Sequence, residues 1–93
     1  MNPYNANILV VEDDKQIRKF ICYLLNGEGF KHTAASTGQG ALSILVSEPI
    51  DLMLLDLGLP DIDGMEVIRK VREWSDMPII IVSARDQDNY GHI

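Results

Sequence analysis

Short apolar runs and longer amphipathic segments alternate along this chain of 93 residues. Residues 8–11, 52–55 and 79–82 are continuous apolar runs, which is the pattern of strands covered on both faces of a parallel sheet. Residues 30–35 predict a further strand, and their greater polarity places it nearer an edge of the sheet. The pattern therefore predicts four strands.

Three amphipathic segments lie between these strands and predict helices, because their apolar residues recur at the three- and four-residue spacing of one helix face. Ser36 or Thr37 can cap the second helix, and Asp63 and Glu66 stand at the spacing of a capping box at the start of the third. The expected buried faces are, in chain order, Ile17, Phe20, Ile21, Leu24 and Leu25; Ala41, Leu42, Leu45 and Val46; and Val67, Ile68, Val71 and Trp74.

Strands that alternate with helices predict an α/β fold, in which right-handed crossovers place helices on both faces of a parallel sheet. The flavodoxin-like form of this doubly wound sheet has the strand order 2-1-3-4. Residues 86–93 are polar and too few for another helix and strand. We therefore expect one incomplete domain over residues 1–85, with the fifth βα unit missing, and an irregular tail over residues 86–93.

The fourth predicted strand would lie at an edge of the sheet. Without a fifth strand, residues 79–82 would form an unpaired apolar edge, and such edges recruit other chains. The sequence thus predicts self-association through strand four.

The net charge of −6 argues against a nucleic-acid-binding surface. Proteins that bind nucleic acids cluster Lys and Arg to displace counterions, whereas the eight basic residues of this chain are scattered. No apolar run approaches the roughly 20 residues that span a bilayer, and residues 1–5 lack the basic flank of a signal peptide. With a single cysteine, Cys22, the sequence predicts a soluble cytoplasmic domain that contacts neither nucleic acid nor membrane.

Acidic and hydroxyl side chains follow the predicted strands at the point where each strand ends. Glu12 and Asp13 close the first strand, Asp56 closes the third and Ser83 closes the fourth. In a doubly wound sheet, ligands bind beyond these carboxyl ends, where neighbouring connections leave on opposite faces. Helix capping would account for Asp14 and could account for Glu12 and Asp13, but it does not explain a charge such as Asp56 at the end of an apolar strand.

Carboxylates held a few ångströms apart raise one another's pKa unless a cation neutralises them. Oxygen ligands without a nearby Cys or His favour a hard ion, and a small number of protein ligands leaves room for water and a phosphate, which is how Mg²⁺ usually binds. The strand ends therefore predict a Mg²⁺ site.

Three motifs, in order and at the predicted strand ends, resemble the receiver domain of bacterial two-component response regulators. They are VVEDD at residues 10–14, LLDLGLPDIDG at 54–64 and PIIIVSAR at 78–85, and the likeness spans residues 8–85. The second and third motifs are most similar to those of the winged-helix subfamily. The resemblance implies the CheY-like form of the flavodoxin-like fold, Mg²⁺ as cofactor and a sensor histidine kinase as partner.

The resemblance also implies a role for each site residue. Asp56 matches the carboxylate that takes the phosphoryl group from the kinase, and Ser83 matches the hydroxyl residue that hydrogen-bonds the new phosphoryl oxygens. Asp13, Asp56 and the main-chain carbonyl of Gly58 match metal ligands, and Glu12 matches an acidic residue that holds the metal through water. Phosphoryl transfer needs positioning and charge neutralisation more than covalent assistance. We therefore expect a phospho-accepting module rather than a turnover enzyme.

The sequence also departs from the family pattern. Receivers normally carry a lysine and an aromatic switch residue on a fifth strand, and we expect both to be absent here, together with the DNA-binding output domain that the receiver controls in full-length members. One alternative is thus a receiver fragment with impaired phosphorylation, which acts only as an interaction or dimerisation module. A second is a hydrolase with an aspartyl nucleophile, but such enzymes usually place a carboxylate where this chain has Gly58.

Overall fold

The computed structural model describes residues 5–82 of the chain. The elements in this part are β1 (Asn7–Val11), α1 (Lys15–Gly27), β2 (Lys31–Ala35), α2 (Gly38–Ser47), β3 (Leu52–Leu55), α3 (Gly64–Val71) and β4 (Ile79–Ile81). The predicted order of strands and helices is confirmed. Ser83 and the predicted tail over residues 86–93 lie outside the described residues, as does the predicted domain boundary after residue 85.

The four strands of the described region form one parallel sheet in the order β2-β1-β3-β4, as the sequence predicts. Val11 pairs with both Ala35 and Leu55, and Leu55 pairs with Ile81. The last residues of all four strands are therefore in register, and whatever follows them along the chain emerges at the same edge of the sheet. The more polar β2 lies at an edge of this sheet, again as predicted.

The hydrophobic core lies between the sheet and the helices α2 and α3. Alternate residues of the strands point to this side, and α3 contributes Val67 and Val71, which are four positions apart on one helix face. Burying each such aliphatic side chain contributes roughly 1.5–3 kcal/mol. The buried members of the cluster are Leu9, Val11, Ala35, Ala41, Met53, Leu55, Val67 and Val71.

Side-chain caps fix where the helices begin. The carboxylate of Asp14 accepts hydrogen bonds from the first turn of α1, the Thr37 hydroxyl accepts one from the first turn of α2, and Asp63 does the same for α3. The second half of the predicted capping box is wrong, because the carboxylate of Glu66 forms an ion pair with Arg69 one turn along α3. Among residues 5–82, no helix has both the length and the apolar character needed to cross a bilayer.

The predicted buried faces of the helices are too wide. Phe20, Leu24, Val46 and Trp74 all carry large exposed apolar surface. The helix α1 packs on β1 and β2, so the flank that carries Phe20 and Leu24 extends beyond its contact with the sheet. Trp74 lies three residues beyond Val71, the last residue of α3, where helical spacing no longer decides which side is buried. Periodicity identifies the buried stripe of a helix, but its width depends on the neighbouring elements.

Candidate functional site

Three carboxylates meet at the carboxyl edge of the sheet. Glu12 and Asp13 follow β1 directly, and Asp56 follows β3. One side-chain oxygen from each lies within 4.8 Å of the others. The backbone holds these positions, because the amide of Glu12 donates to the carbonyl of Ala35 at 3.0 Å and that of Asp56 donates to the carbonyl of Val11 at 2.9 Å. Sheet pairing thus continues past the strand ends and brings the acidic residues together.

Two of the three carboxylates are almost inaccessible to solvent: Glu12 is 3% exposed and Asp56 is 1% exposed. Burial raises the pKa of Glu12 to about 7, and the charge of Asp56 and hydrogen bonds with the side chains of Asp56 and Asp13 raise it as well. A hydrogen bond of 2.9 Å from the amide of Asp14 to Oε2 of Glu12 acts in the opposite direction and lowers this pKa. The group therefore favours neutralisation, by a proton or by a cation.

The donor atoms fit a hard divalent cation. Within residues 5–82 the group consists of Glu12, Asp13 and Asp56 and contains no His or Cys. Its carboxylate oxygens suit Mg²⁺ rather than zinc. Gly58 lies beside the group, because its amide donates to Oδ1 of Asp56 at 3.2 Å. The structure thus brings together four of the five predicted site residues, and the fifth, Ser83, lies outside residues 5–82.

Arg18 supports the site, although the sequence pattern did not predict a role for it. Its Nη1 donates to the main-chain carbonyl of Glu12 at 2.9 Å and to that of Asp13 at 3.4 Å. The guanidinium therefore ties the loop after β1 to the first turns of α1 and brings a positive charge near the acidic group. The apolar periodicity of α1 carries no signal for this contact, because it depends on a long side chain that reaches back along the helix.

The β3–α3 loop, residues 57–63, is closed on itself. The amide of Gly64 donates to the carbonyl of Leu57 at 3.1 Å, and a Cβ at position 64 would lie 2.6 Å from Cα of Leu57. Glycine at 64 therefore permits this close approach, directly after Asp56. The same loop carries Asp61, a second residue for which the sequence did not predict a role. Its carboxylate accepts hydrogen bonds from backbone amides in the first turn of α2.

Comparison with known proteins identifies the family. Residues 8–92 match the family described as response regulator receiver domain. The chain is 45% identical over 84 residues to the KDP operon transcriptional regulatory protein KdpE of Escherichia coli K12, a match that covers 90% of this chain and 37% of that protein. The chain belongs to the response regulator receiver domain family, and it spans about a third of the length of the curated relatives it matches.

Solved structures agree with this assignment. The receiver domain of the Francisella response regulator 1452 is 31% identical, with a TM-score of 0.82 over 95% of this chain and 74% of that one. A chain in the complex of histidine kinase ThkA with response regulator protein TrrA is 36% identical, with a TM-score of 0.80 over 85% of this chain and 69% of that one. These similarities confirm the CheY-like fold. Receiver domains accept a phosphoryl group from histidine kinases and generally bind Mg²⁺ at an acidic pocket.

The raised pKa of Glu12 predicts how stability depends on pH in the absence of divalent cations. The folded chain keeps a proton on Glu12 up to a pH of about 7, whereas the unfolded chain releases it near the ordinary value of 4.5. The free energy of unfolding should therefore decrease as the pH rises between these values. Urea unfolding in a chelating buffer at several pH values measures this dependence.

Two substitutions test the assignment of this dependence to Glu12. Glu12→Gln should flatten this part of the pH profile, whereas Glu73→Gln, at an exposed position after α3, should leave it as in the unsubstituted chain. An unchanged profile in Glu12→Gln would show that another group is responsible.

Proposed function

We propose that this chain is a phospho-accepting receiver module, in which Asp56 takes a phosphoryl group from a sensor histidine kinase. Asp13, Asp56 and the main-chain carbonyl of Gly58 would hold Mg²⁺, and Glu12 would hold it through water. The observation that carries the proposal is the meeting of three carboxylates within 4.8 Å at the ends of β1 and β3. Membership of the receiver family supports it, as does the similarity to a chain in a structure of a histidine kinase in complex with a response regulator.

The chemistry of the step needs little from the protein beyond position and charge. An oxygen of Asp56 attacks the phosphorus, an O–P bond forms, and the bond from phosphorus to the donor atom breaks with its electron pair left on the donor. Bound Mg²⁺ supplies the positive charge that lets the anionic carboxylate approach an anionic phosphoryl group. The hydrogen bond from the amide of Gly58 orients the Asp56 carboxylate before the attack.

Glu12 and Ser83 have supporting roles in this proposal. Glu12 is buried beside Asp56, and the amide of Asp14 fixes one of its oxygens. A bound cation would favour the ionised form of Glu12, which is then able to orient a metal-bound water. Ser83 would hydrogen-bond the phosphoryl oxygens, and its place directly after β4 and Val82 supports this role, since β4 ends at the same edge of the sheet.

Phosphorylation by a small phosphodonor tests the proposed acceptor. With Mg²⁺ and acetyl phosphate, intact-protein mass spectrometry should show the addition of one phosphoryl group to the chain, and Asp56→Asn should abolish it. Asp76→Asn is the matched control, because it removes an exposed carboxylate from the loop before β4. The control should be phosphorylated like the unsubstituted chain.

The same experiment separates the proposal from its alternatives. A chain that gains no phosphoryl group under these conditions would be the interaction-only receiver. The receiver family is not an enzyme family in the usual sense, and we propose that the chain carries the phosphoryl group without turning over other substrates. Steady hydrolysis of phosphomonoesters would contradict this and would favour the hydrolase.

We also propose that copies of the chain associate through β4. Ile80 is 50% exposed and Ile81 is 47% exposed, and β4 pairs only with β3 among residues 5–82. Exposed apolar side chains on an edge strand favour pairing with another strand.

Sedimentation at concentrations of tens of micromolar should detect this association, and Ile81→Lys should shift the chain towards the monomer. Val46→Lys is the matched control, because Val46 is an exposed aliphatic residue on α2, away from the strand edge. A monomeric unsubstituted chain, or an equal effect of both substitutions, would contradict association through β4.

The remaining sequence-based expectations stay predictions: residues 1–85 as the receiver unit, an irregular tail over residues 86–93, a cytoplasmic location, and no direct contact with nucleic acid or membrane. The net charge of −6 supports the exclusion of nucleic acid, because binding to a polyanion needs clustered positive charge.

A further inference from the structure

Asp61 is an exposed residue of the β3–α3 loop. Its carboxylate accepts hydrogen bonds from the start of α2, more than twenty residues earlier in the sequence. Its Oδ1 accepts a hydrogen bond from the amide of Gly38 and its Oδ2 accepts one from the amide of Gln39, each at 2.8 Å. These amides, led by that of Gln39, lower the pKa of Asp61 and so favour its charged form. One carboxylate thus joins the loop that follows Asp56 to the start of α2.

The first turn of α2 depends on this carboxylate. Glycines at positions 38 and 40 make it a weak helix start, and it contains no acidic residue. The Thr37 hydroxyl accepts from the amide of Gly40 at 2.9 Å, which leaves the amides of Gly38 and Gln39 to Asp61. Asp61 therefore supplies both the acceptors and the negative charge that favour a helix N-terminus.

The loop also lies directly against α2. A Cβ at Gly38 would be 2.4 Å from Cγ1 of Ile62, so any larger residue at this position would displace the Ile62 side chain. Ile62 and Leu59 pack against the core cluster on the side of α2 and α3. The two hydrogen bonds of Asp61 therefore belong to an extended contact between the loop and the helix.

The other end of the loop lies at the acidic group. The amide of Gly58 donates to Oδ1 of Asp56 at 3.2 Å, and Leu57 is bonded to Gly64 at the loop's closure. Gly58 is exposed and, as a glycine, permits many backbone conformations. Three residues further on, Asp61 provides an attachment to a separate helix, and this attachment restricts the conformations open to the segment that contains Gly58.

We propose that Asp61 is a positioning residue for the metal site: its clamp on the first turn of α2 holds the β3–α3 loop so that the main-chain carbonyl of Gly58 is placed to bind Mg²⁺. This inference rests on the proposed function, because it presumes that Mg²⁺ binds beside Asp56. Mg²⁺ demands near-octahedral geometry, so a ligand on a loose loop costs affinity.

Mg²⁺ titrations of the 93-residue chain, followed by isothermal titration calorimetry, test the clamp. Asp61→Ala should raise the Kd for Mg²⁺ by about fivefold or more, the lower range for coupled sites. Asp51→Ala is the matched control, because Asp51 is also an exposed carboxylate that accepts a backbone hydrogen bond, from Asn7 at 2.8 Å, but it lies at the opposite end of β3. The Kd of Asp51→Ala for Mg²⁺ should stay within about twofold of that of the unsubstituted chain.

Thr37→Ala supplies a second control. It removes the hydrogen bond to Gly40 from the same turn of α2 but leaves the loop attached. We expect a loss of stability on urea unfolding and an unchanged Kd for Mg²⁺. If Thr37→Ala raised the Kd for Mg²⁺ as much as Asp61→Ala does, weakening the start of α2 would be sufficient to impair Mg²⁺ binding. This result would overturn the positioning role of Asp61.

Coupling between the two ends of the loop is reciprocal, which gives a second readout. Binding of Mg²⁺ should slow hydrogen exchange at the amides of Gly38 and Gln39 in the unsubstituted chain. If Asp61→Ala does not fold, Asp61→Asn replaces it as the test variant: it keeps one acceptor oxygen of the two and should still raise the Kd for Mg²⁺ above that of the unsubstituted chain. Unchanged exchange at both amides, together with an unchanged Kd in the Asp61 variant, would overturn the inference.

The design separates failure of this inference from failure of the proposed function. Suppose that the unsubstituted chain binds Mg²⁺, that Asp56→Asn abolishes this binding, and that Asp61→Ala leaves it unaffected. In that case only the positioning role of Asp61 is wrong. If the unsubstituted chain shows no Mg²⁺ binding that depends on Asp56, the proposed metal site is wrong and the clamp is overturned with it.

Discussion

Repulsion among Glu12, Asp13 and Asp56 is the constraint that the rest of the structure has to withstand. At the separation found here, within 4.8 Å, two charges in a site of intermediate dielectric repel each other by about 3 kcal/mol. Several such pairs approach the net stability of a small domain, which is roughly 5–15 kcal/mol. The structure shows one response, the raised pKa of Glu12, which lets a proton relieve the repulsion. A divalent cation would relieve the repulsion more fully than a proton, which supports the proposed Mg²⁺ site.

The parallel sheet explains how such a group can form at all. Register pairing aligns the ends of all four described strands, so residues far apart in the sequence emerge at one edge. The buried cluster on the side of α2 and α3 packs against β1 and β3 and fixes their positions. Val67 and Val71 are fully buried in this cluster. The tight turn at Gly64 and the side chain of Arg18 then hold the two loops that carry the carboxylates. The core and the loops together hold the acidic side chains at one place.

The sequence predicted the strands, their order and the residues of the acidic group, because apolar runs and strand-end charges are local signals that the doubly wound topology converts into proximity. It did not predict the contacts of Arg18 and Asp61, which depend on where a side chain meets a backbone from another segment. The exposure of Phe20 and Leu24 was missed for a related reason, since the width of a buried stripe is set by the neighbouring elements. The pairing of Glu66 with Arg69 shows that two local patterns can compete for one carboxylate. Roles carried by Ser83 remain predictions, since that residue lies beyond the described part of the chain.

A structure of the chain determined with Mg²⁺ and beryllium fluoride, an analogue of the phosphoryl group, tests the central claim most directly. We expect one cation in contact with oxygens of Asp13, Asp56 and the carbonyl of Gly58, and the beryllium bonded to a carboxylate oxygen of Asp56. A cation bound elsewhere, or an Asp56 carboxylate that carries no beryllium while the carboxylates of Glu12 and Asp13 turn away from it, would contradict the proposed site.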